Sequence, residues 1–287
     1  MTVCIAAISE PTVGNEYIVS ASDRMVSMSG YFSGDDIVRK VDPIAYGWIS
    51  MIAGNDVSPA VPILARITEQ SNEESHDDTL KEMAEVFKTA YKAERLQMIE
   101  DEILSPIGFT WQTFRTDAKD QMTDRTFERL VDGISNFELD VTFLVSGFDT
   151  EGVSHIFTVC NPGKCEYYEK IGFWAIGSGQ HQAIASMFAN HYNRHASLED
   201  CIAHVLAAKL AAESASGVGK ETWLMVTSGK MRALSVHISR ETIEAFRASW
   251  DRLPKIPAEI LPLIAEDFDR ERVRMEQMQK EHERNRE

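Results

Sequence analysis

The sequence predicts an α+β fold of four layers, α/β/β/α, with two antiparallel sheets stacked face to face and a helix pair on each outer surface. Two observations carry this prediction. Strand-patterned and helix-patterned segments come in the order strands, two helices, strands, two helices, strands, which suits helix pairs covering both faces of a double sheet. Composition permits a core of that size, since 44% of the 287 residues are hydrophobic and 26% are charged. That length is near the upper limit for a single core, so one domain carrying extensions is favoured over two.

The first strand is marked by Val3, Ile5 and Ala7 alternating with Cys4, Ala6 and Ile8. Turn chemistry follows in Glu10, Pro11, Gly14, Asn15 and Glu16, and residues 17–22 form the second strand. Pairing the two about the middle of the turn sets Asp23 beside Thr2 and Val3. A further strand pair spans residues 36–53, with Pro43 in the turn between residues 38–41 and 46–53. The first helix opens after Gly54, with Ser58 as N-cap, Pro59 at the first helical position and Pro62 within the first turn.

Leu80, Met83, Val86, Phe87, Ala90, Tyr91 and Ala93 mark a longer amphipathic helix. Glu73, Glu74, Asp77 and Asp78 precede it, where negative charge favours a helix N-terminus. Residues 106–138 read as a helical insertion of weak amphipathicity. Strands resume at 141–147 and 155–159, and the Asn161-Pro162-Gly163 turn leads into 165–168. Two helices are expected at 181–195 and 198–213, the second capped by Ser197 with Asp200 three residues on and carrying Leu198, Ile202, Val205 and Leu206 on one face. A last hairpin, 223–226 with 231–238, turns at Ser228-Gly229. Residues 1–239 thus form the domain and 240–287 a helical extension. In that extension Ile256, Ile260, Leu261, Leu263 and Ile264 are interrupted by Pro254, Pro257 and Pro262, and residues 267–287 mix both charges densely, as a solvated helix does.

A formal net charge of −16 repels phosphate backbones and anionic lipid heads, which argues against nucleic acid and membrane partners. The apolar runs are too short to cross a bilayer, and the first residues lack the basic start and long apolar stretch of a secretory signal, so a cytoplasmic location is expected. The four cysteines show no Cys-x-x-Cys pair and read as reduced, mostly buried thiols. His191 and His195 are four apart on one expected helix, but without a third ligand nearby they read as surface residues. No metal or cofactor is expected. There is no Gly-x-Ser-x-Gly elbow, phosphate loop, dinucleotide fingerprint or His-Glu-x-x-His motif.

Six short features remain: Thr2 directly after Met1, Asp23-Arg24 at the end of the second strand, Lys40 in Arg39-Lys40-Val41, Ala53-Gly54 ahead of the first helix, Gly177-Ser178-Gly179, and Glu213-Ser214-Ala215-Ser216-Gly217. In this order they resemble the proteasome β subunit and its HslV-type relatives in the N-terminal-nucleophile hydrolase superfamily. The resemblance implies a threonine-type endopeptidase that needs no cofactor. Peptide or unfolded protein would be its substrate and a self-compartmentalising ring or stacked homo-oligomer its assembly, with an ATPase unfoldase as a possible partner. It assigns catalytic work to Thr2, Asp23, Lys40, Gly54, Ser178, Glu213 and Ser216. Glu213 departs from the family's Asp, and its extra methylene changes its reach toward Thr2 or Ser216.

Elementary chemistry gives each of these residues a role. Removal of Met1 is expected before so small a residue, and a free α-amine, with an ordinary pKa of about 7.7–8, can act as base for the threonine hydroxyl. Lys40 would lower the pKa of neighbouring groups, and Asp23 would fix Lys40. The Gly54 N–H at a helix start would serve as oxyanion donor, and Ser178 and Ser216 would orient the amine. Two other activities fit the same residues. One is an N-terminal-threonine amidase or transpeptidase whose acyl-enzyme is intercepted by an amine; the other is a non-catalytic structural subunit.

Overall fold

A computed structural model describes residues 2–28, 32–34, 40–45, 47–73, 79–250 and 252. Met1, Arg39, Tyr46, the acids Glu74, Asp77 and Asp78, and the expected apolar and charged parts of the extension beyond residue 252 lie outside the described residues.

The chain begins with β1 (Cys4–Thr12) and β2 (Asn15–Asp23), then a small pair β3 (Val26–Met28) and β4 (Phe32–Gly34), then β5 (Val41–Ala45) and β6 (Trp48–Gly54). Helices α1 (Ala60–Glu73) and α2 (Leu80–Ile99) follow, and a π-helical and a 3-10 turn lead to α3 (Trp111–Gln121) and α4 (Asp124–Ser135). Next come β7 (Val141–Phe148), β8 (Ser154–Cys160), β9 (Lys164–Tyr167) and β10 (Phe173–Ile176), then α5 (Gln180–Ala189), α6 (Leu198–Ala212), β11 (Thr222–Ser228), β12 (Met231–His237) and α7 (Arg240–Trp250). One sheet runs β10-β1-β2-β11-β12 and the other β5-β6-β7-β8-β9, every pairing antiparallel. The chain divides into compact units of residues 1–243 and 244–287.

Strand alternation builds the layers. Cys4, Ala6 and Ile8 of β1 and Ile18 of β2 meet Met51, Ala53, Leu144, Phe148 and Ile156 of the second sheet, forming the core between the sheets. Val3, Ile5 and Ala7 alternate with them and are equally buried, on the side where α5 and α6 pack. On the outer face of the second sheet, Phe143, Val145, Phe157 and Val159 pack against Ile63 and Ile67 of α1 and Phe87 and Tyr91 of α2. The four layers expected from the element order are therefore present.

Several local expectations need correction. The first two strands run further into the expected turn, leaving Val13-Gly14 at the tip, with Gly14 at positive φ and an irregular register between Ser9 and Thr12. Pro43 lies inside β5, not in a turn; β5 is an edge strand, where a missing N–H is tolerated, and Gly47 at φ 85° carries the turn. Pro59 directly precedes α1, whose first turn contains Pro62. The N-cap of α2 is Thr79, in a capping box with Glu82. Helix α5 stops at Ala189, and His191 adopts φ 55°, so His191 and His195 do not share a helix. The insertion has a small core of its own, with Phe114 stacked on Phe127 and packed with Leu104, Ala118 and Ile134, so its helices are amphipathic toward each other. All four cysteines are free, Cys4 and Cys201 fully buried.

Tyr91 ties α2 to the second sheet, its hydroxyl lying 3.0 Å from the carbonyl oxygens of both Leu139 and Val141. Tyr91→Phe is expected to destabilise the fold by about 1–2 kcal/mol, read as a lower urea midpoint at unchanged slope. At the end of the sandwich far from residue 2, His155 stacks on Trp48, with Nε2 3.2 Å from Asp149 Oδ2 and Nδ1 3.5 Å from Glu169 Oε1. Burial alone would lower its pKa, but the two carboxylates outweigh burial and hold it above the ordinary 6.5. A raised folded-state pKa means that this stabilisation is complete below the unfolded value and disappears as pH rises through the folded one. The stability deficit of His155→Gln should accordingly be largest below about pH 6.5 and shrink above it, as denaturant titrations across pH would show.

Candidate active site

Seven chain segments converge at one end of the sandwich because the strand registers bring their ends together. In the first sheet Cys4 is opposite Ile176 on one side and Ser22 on the other, and Asp23 is opposite Thr222. The start of β1, the end of β2, the end of β10 and the start of β11 are therefore coterminal. In the second sheet Val41 pairs with Met51 and Gly54 with Val141, so Lys40, Gly54 and Asp140 reach the same end.

At the centre lies Asp23, fully buried. Its Oδ1 accepts hydrogen bonds from the Val3 N–H at 3.0 Å, from Lys40 Nζ at 2.9 Å and from the Thr2 hydroxyl. Its Oδ2 accepts from the N–H groups of Met25 at 3.2 Å and Gly219 at 3.1 Å. Five donors with one ammonium among them offset the desolvation of a buried carboxylate. Lys40 Nζ also donates to Thr2 Oγ1 at 2.5 Å, so the threonine hydroxyl is held between a cation and an anion.

The Gly177-Ser178-Gly179 turn between β10 and α5 holds the backbone of Thr2. The Thr2 N–H donates to Ser178 Oγ at 3.1 Å, and the Thr2 carbonyl accepts from Ser178 Oγ and the Gly179 N–H, both at 3.2 Å. Gly177 has φ 95°, and a Cβ there would lie 2.3 Å from the Thr2 carbonyl oxygen. Only glycine allows so close an approach. Gly54 is constrained in the same way, because a Cβ there would lie 2.0 Å from the Asp140 carbonyl oxygen. It closes strand β6 and does not open a helix, since α1 begins only at Ala60. Any donor role of its N–H is therefore without a helix dipole behind it.

The remaining two candidates are not brought to Thr2. Glu213, the C-cap of α6, has Oε1 2.5 Å from the Nζ of the buried Lys209, and Ser216 is exposed on the turn beyond. The longer Glu side chain reaches back along its own helix end. Sequence reading did not single out Lys209, although it lies four residues beyond Val205 on the apolar face of α6. It also missed part of the cleft. Thr2 opens onto a cleft of about 360 Å³ lined by Gly54, Asn55, Asp140, Thr142, Gln180 and His181 among others. Asn55 Nδ2 donates to Asp140 Oδ2 at 2.6 Å across it. No local signal marks these residues, because long stretches of chain separate them and only sheet register joins them.

The arrangement at this end, a hydroxyl between an ammonium and a carboxylate, suits activation of that hydroxyl. Cys4, directly beneath Thr2, does not compete as a nucleophile: burial pushes its thiol up to about 12, which leaves it protonated near neutrality. Among the described residues no group of three or more His, Cys, Asp or Glu side chains is placed to hold a metal ion. No helix among them is long and apolar enough to cross a membrane.

The sequence profile of the family described as proteasome subunit matches residues 118–223. No curated protein matches the chain. The matched stretch runs from α3 to the start of β11 and contains Ser178, Glu213 and Ser216; Thr2, Asp23, Lys40 and Gly54 reach it through the sheets. Two five-stranded antiparallel sheets between helix pairs, together with this match across the second half of the sandwich, support a proteasome-type N-terminal-nucleophile hydrolase fold.

Proposed function

We propose that the protein is a proteasome-like threonine peptidase that hydrolyses peptide bonds through Thr2, once the peptide bond before Thr2 has been cleaved to free its α-amine. The single observation that carries this reading is the Thr2 hydroxyl bonded at once to Lys40 Nζ and Asp23 Oδ1. A nearby cation favours the alkoxide over the alcohol, and the carboxylate holds that cation in place. The free amine, held by Ser178, takes the hydroxyl proton as Oγ1 attacks the scissile carbonyl carbon. The developing oxyanion faces the cleft wall at Gly54. Collapse expels the amine of the leaving peptide, which takes the proton back from the α-ammonium, and an ester remains on Oγ1. Water then gives a proton to the amine as its oxygen attacks the ester carbonyl, and collapse releases the acid product while Oγ1 takes that proton back from the α-ammonium. Enclosure of this cleft in a self-compartmentalising homo-oligomer, with an ATPase unfoldase feeding it, is the arrangement in which such an open site gains selectivity. An amidase or transpeptidase would use the same first half-reaction and release the ester to an amine.

A non-catalytic structural subunit is the competing reading. The position of Glu213 against Lys209 and the exposure of Ser216 favour it, because both residues are then unavailable to the α-amine.

The test is labelling and turnover together. In the mature protein, mass analysis should find Thr2 as the first residue, and a peptide epoxyketone or boronate should modify it. Thr2→Ala should lose both labelling and peptide hydrolysis, whereas Thr2→Ser should retain partial activity, because the hydroxyl and amine survive without the methyl that restricts χ1. A mature wild type that neither cleaves nor labels would establish the structural-subunit reading. Lys40→Ala should lower kcat by at least about 10²-fold while the protein stays folded, since Asp23 keeps three backbone N–H donors. Circular dichroism alongside initial rates checks both halves of that statement.

A further inference from the structure

Lys209 is fully buried in the last turn of α6, on a face otherwise made of Cys201, Val205, Ala208 and Ala212. An ammonium placed there needs oxygen partners in place of the water it has lost. It receives three oxygen partners: Glu213 Oε1 at 2.5 Å, the Gly219 carbonyl at 2.6 Å and the Lys220 carbonyl at 3.1 Å. An apolar residue would fill this helix position without any such requirement, so the lysine must be explained by what its ammonium holds. It holds the chain that leaves α6 and enters β11. Within that loop Gly219 is secured on both sides, its carbonyl by Lys209 and its N–H by Asp23 Oδ2.

We propose that Lys209 is a positioning residue of the site: its ammonium anchors the 213–220 loop, and through the Gly219 N–H that loop orients the Asp23 carboxylate against Thr2 and Lys40. This inference rests on the reading of Thr2 as nucleophile. Asp23 Oδ1 faces Thr2 and Lys40, while among the described residues Oδ2 is held by the backbone N–H groups of Met25 and Gly219. Loss of the Gly219 N–H lets the carboxylate turn about its terminal torsion, and Oδ1 leaves the line between Lys40 and the hydroxyl. Neither Lys209 nor the 213–220 loop lines the cleft, so substrate binding does not depend on them directly. A purely structural lysine would change stability alone. A positioning lysine changes kcat at constant KM.

The experiment compares wild type, Lys209→Met and Lys209→Gln in the full chain. Met fills the space without an ammonium, and Gln retains two N–H donors and serves if Met does not fold. For Lys209→Met, kcat should fall about ten- to hundredfold with KM within about twofold, and Lys209→Gln should fall between it and wild type. Amide exchange in residues 213–222, followed by mass spectrometry, should speed up by about tenfold or more while β7 and β8 keep wild-type protection. Wild-type exchange in the loop, or a loosened loop with wild-type kcat, overturns the proposal. The exchange measurement reads the anchoring whether or not the wild type turns over. An inactive wild type therefore sinks the hydrolase reading, and wild-type exchange in the variants sinks the role of Lys209.

Discussion

A buried carboxylate with five donors organises this end of the molecule. A carboxylate at zero exposure needs donors for nearly every lone pair, and those of Asp23 come from the start of β1, the residues after β2, the segment before β5 and the loop before β11. The requirement therefore acts on both sheets. Lys40 belongs to the second sheet's chain and Val3, Met25 and Gly219 to the first, so satisfying one carboxylate also sets how the sheets align at this edge. The placement of the Thr2 hydroxyl is a by-product of that satisfaction, because it is one of the five donors.

The opposite end of the sandwich uses the same device with different residues. Glu16 on β2 is buried, and its Oε2 accepts from both the backbone N–H and the hydroxyl of Ser154 at the start of β8, with Arg194 3.8 Å away. Between the two polar knots the sheets meet mainly through apolar side chains, with Ser20, Ser22, Ser146 and Thr158 buried on the same strands, and apolar contact attracts without fixing direction. Hydrogen-bonded carboxylates at each end supply the directional constraint that a hydrophobic interface lacks.

Glu213 links the family resemblance to the particular character of this chain. A shorter acid at that position could not reach along the helix to Lys209 in the same way, and without Glu213 the buried ammonium would lose its charged partner. The pair is thus explained as a unit: the lysine secures two loop carbonyls and the glutamate neutralises it. The consequence is a loop whose Gly219 amide is presented to Asp23 and whose Ser216 faces solvent.

The layer order and most elements were legible in the sequence, because period-2 and period-3.6 patterning are local properties that burial on one face imposes on each segment. Hairpin logic alone set Asp23 beside Thr2 and Val3, since an antiparallel pair joined by a short turn has only one simple register. Errors arose where a neighbour overrode local chemistry. Pro43 suggested a turn but sits on an edge strand, and the spacing of His191 and His195 suggested one helix although the helix ends before both. Asp140, Asn55, Gln180 and His181 became cleft walls, and Lys209 became an anchor, only through contacts between segments far apart in the chain. Those contacts are set by strand register and helix packing. The sequence by itself determined which residue types were present and which faces they would bury; the tertiary structure decided which polar groups met, because a buried charge takes whichever donors the folded sheets bring within reach.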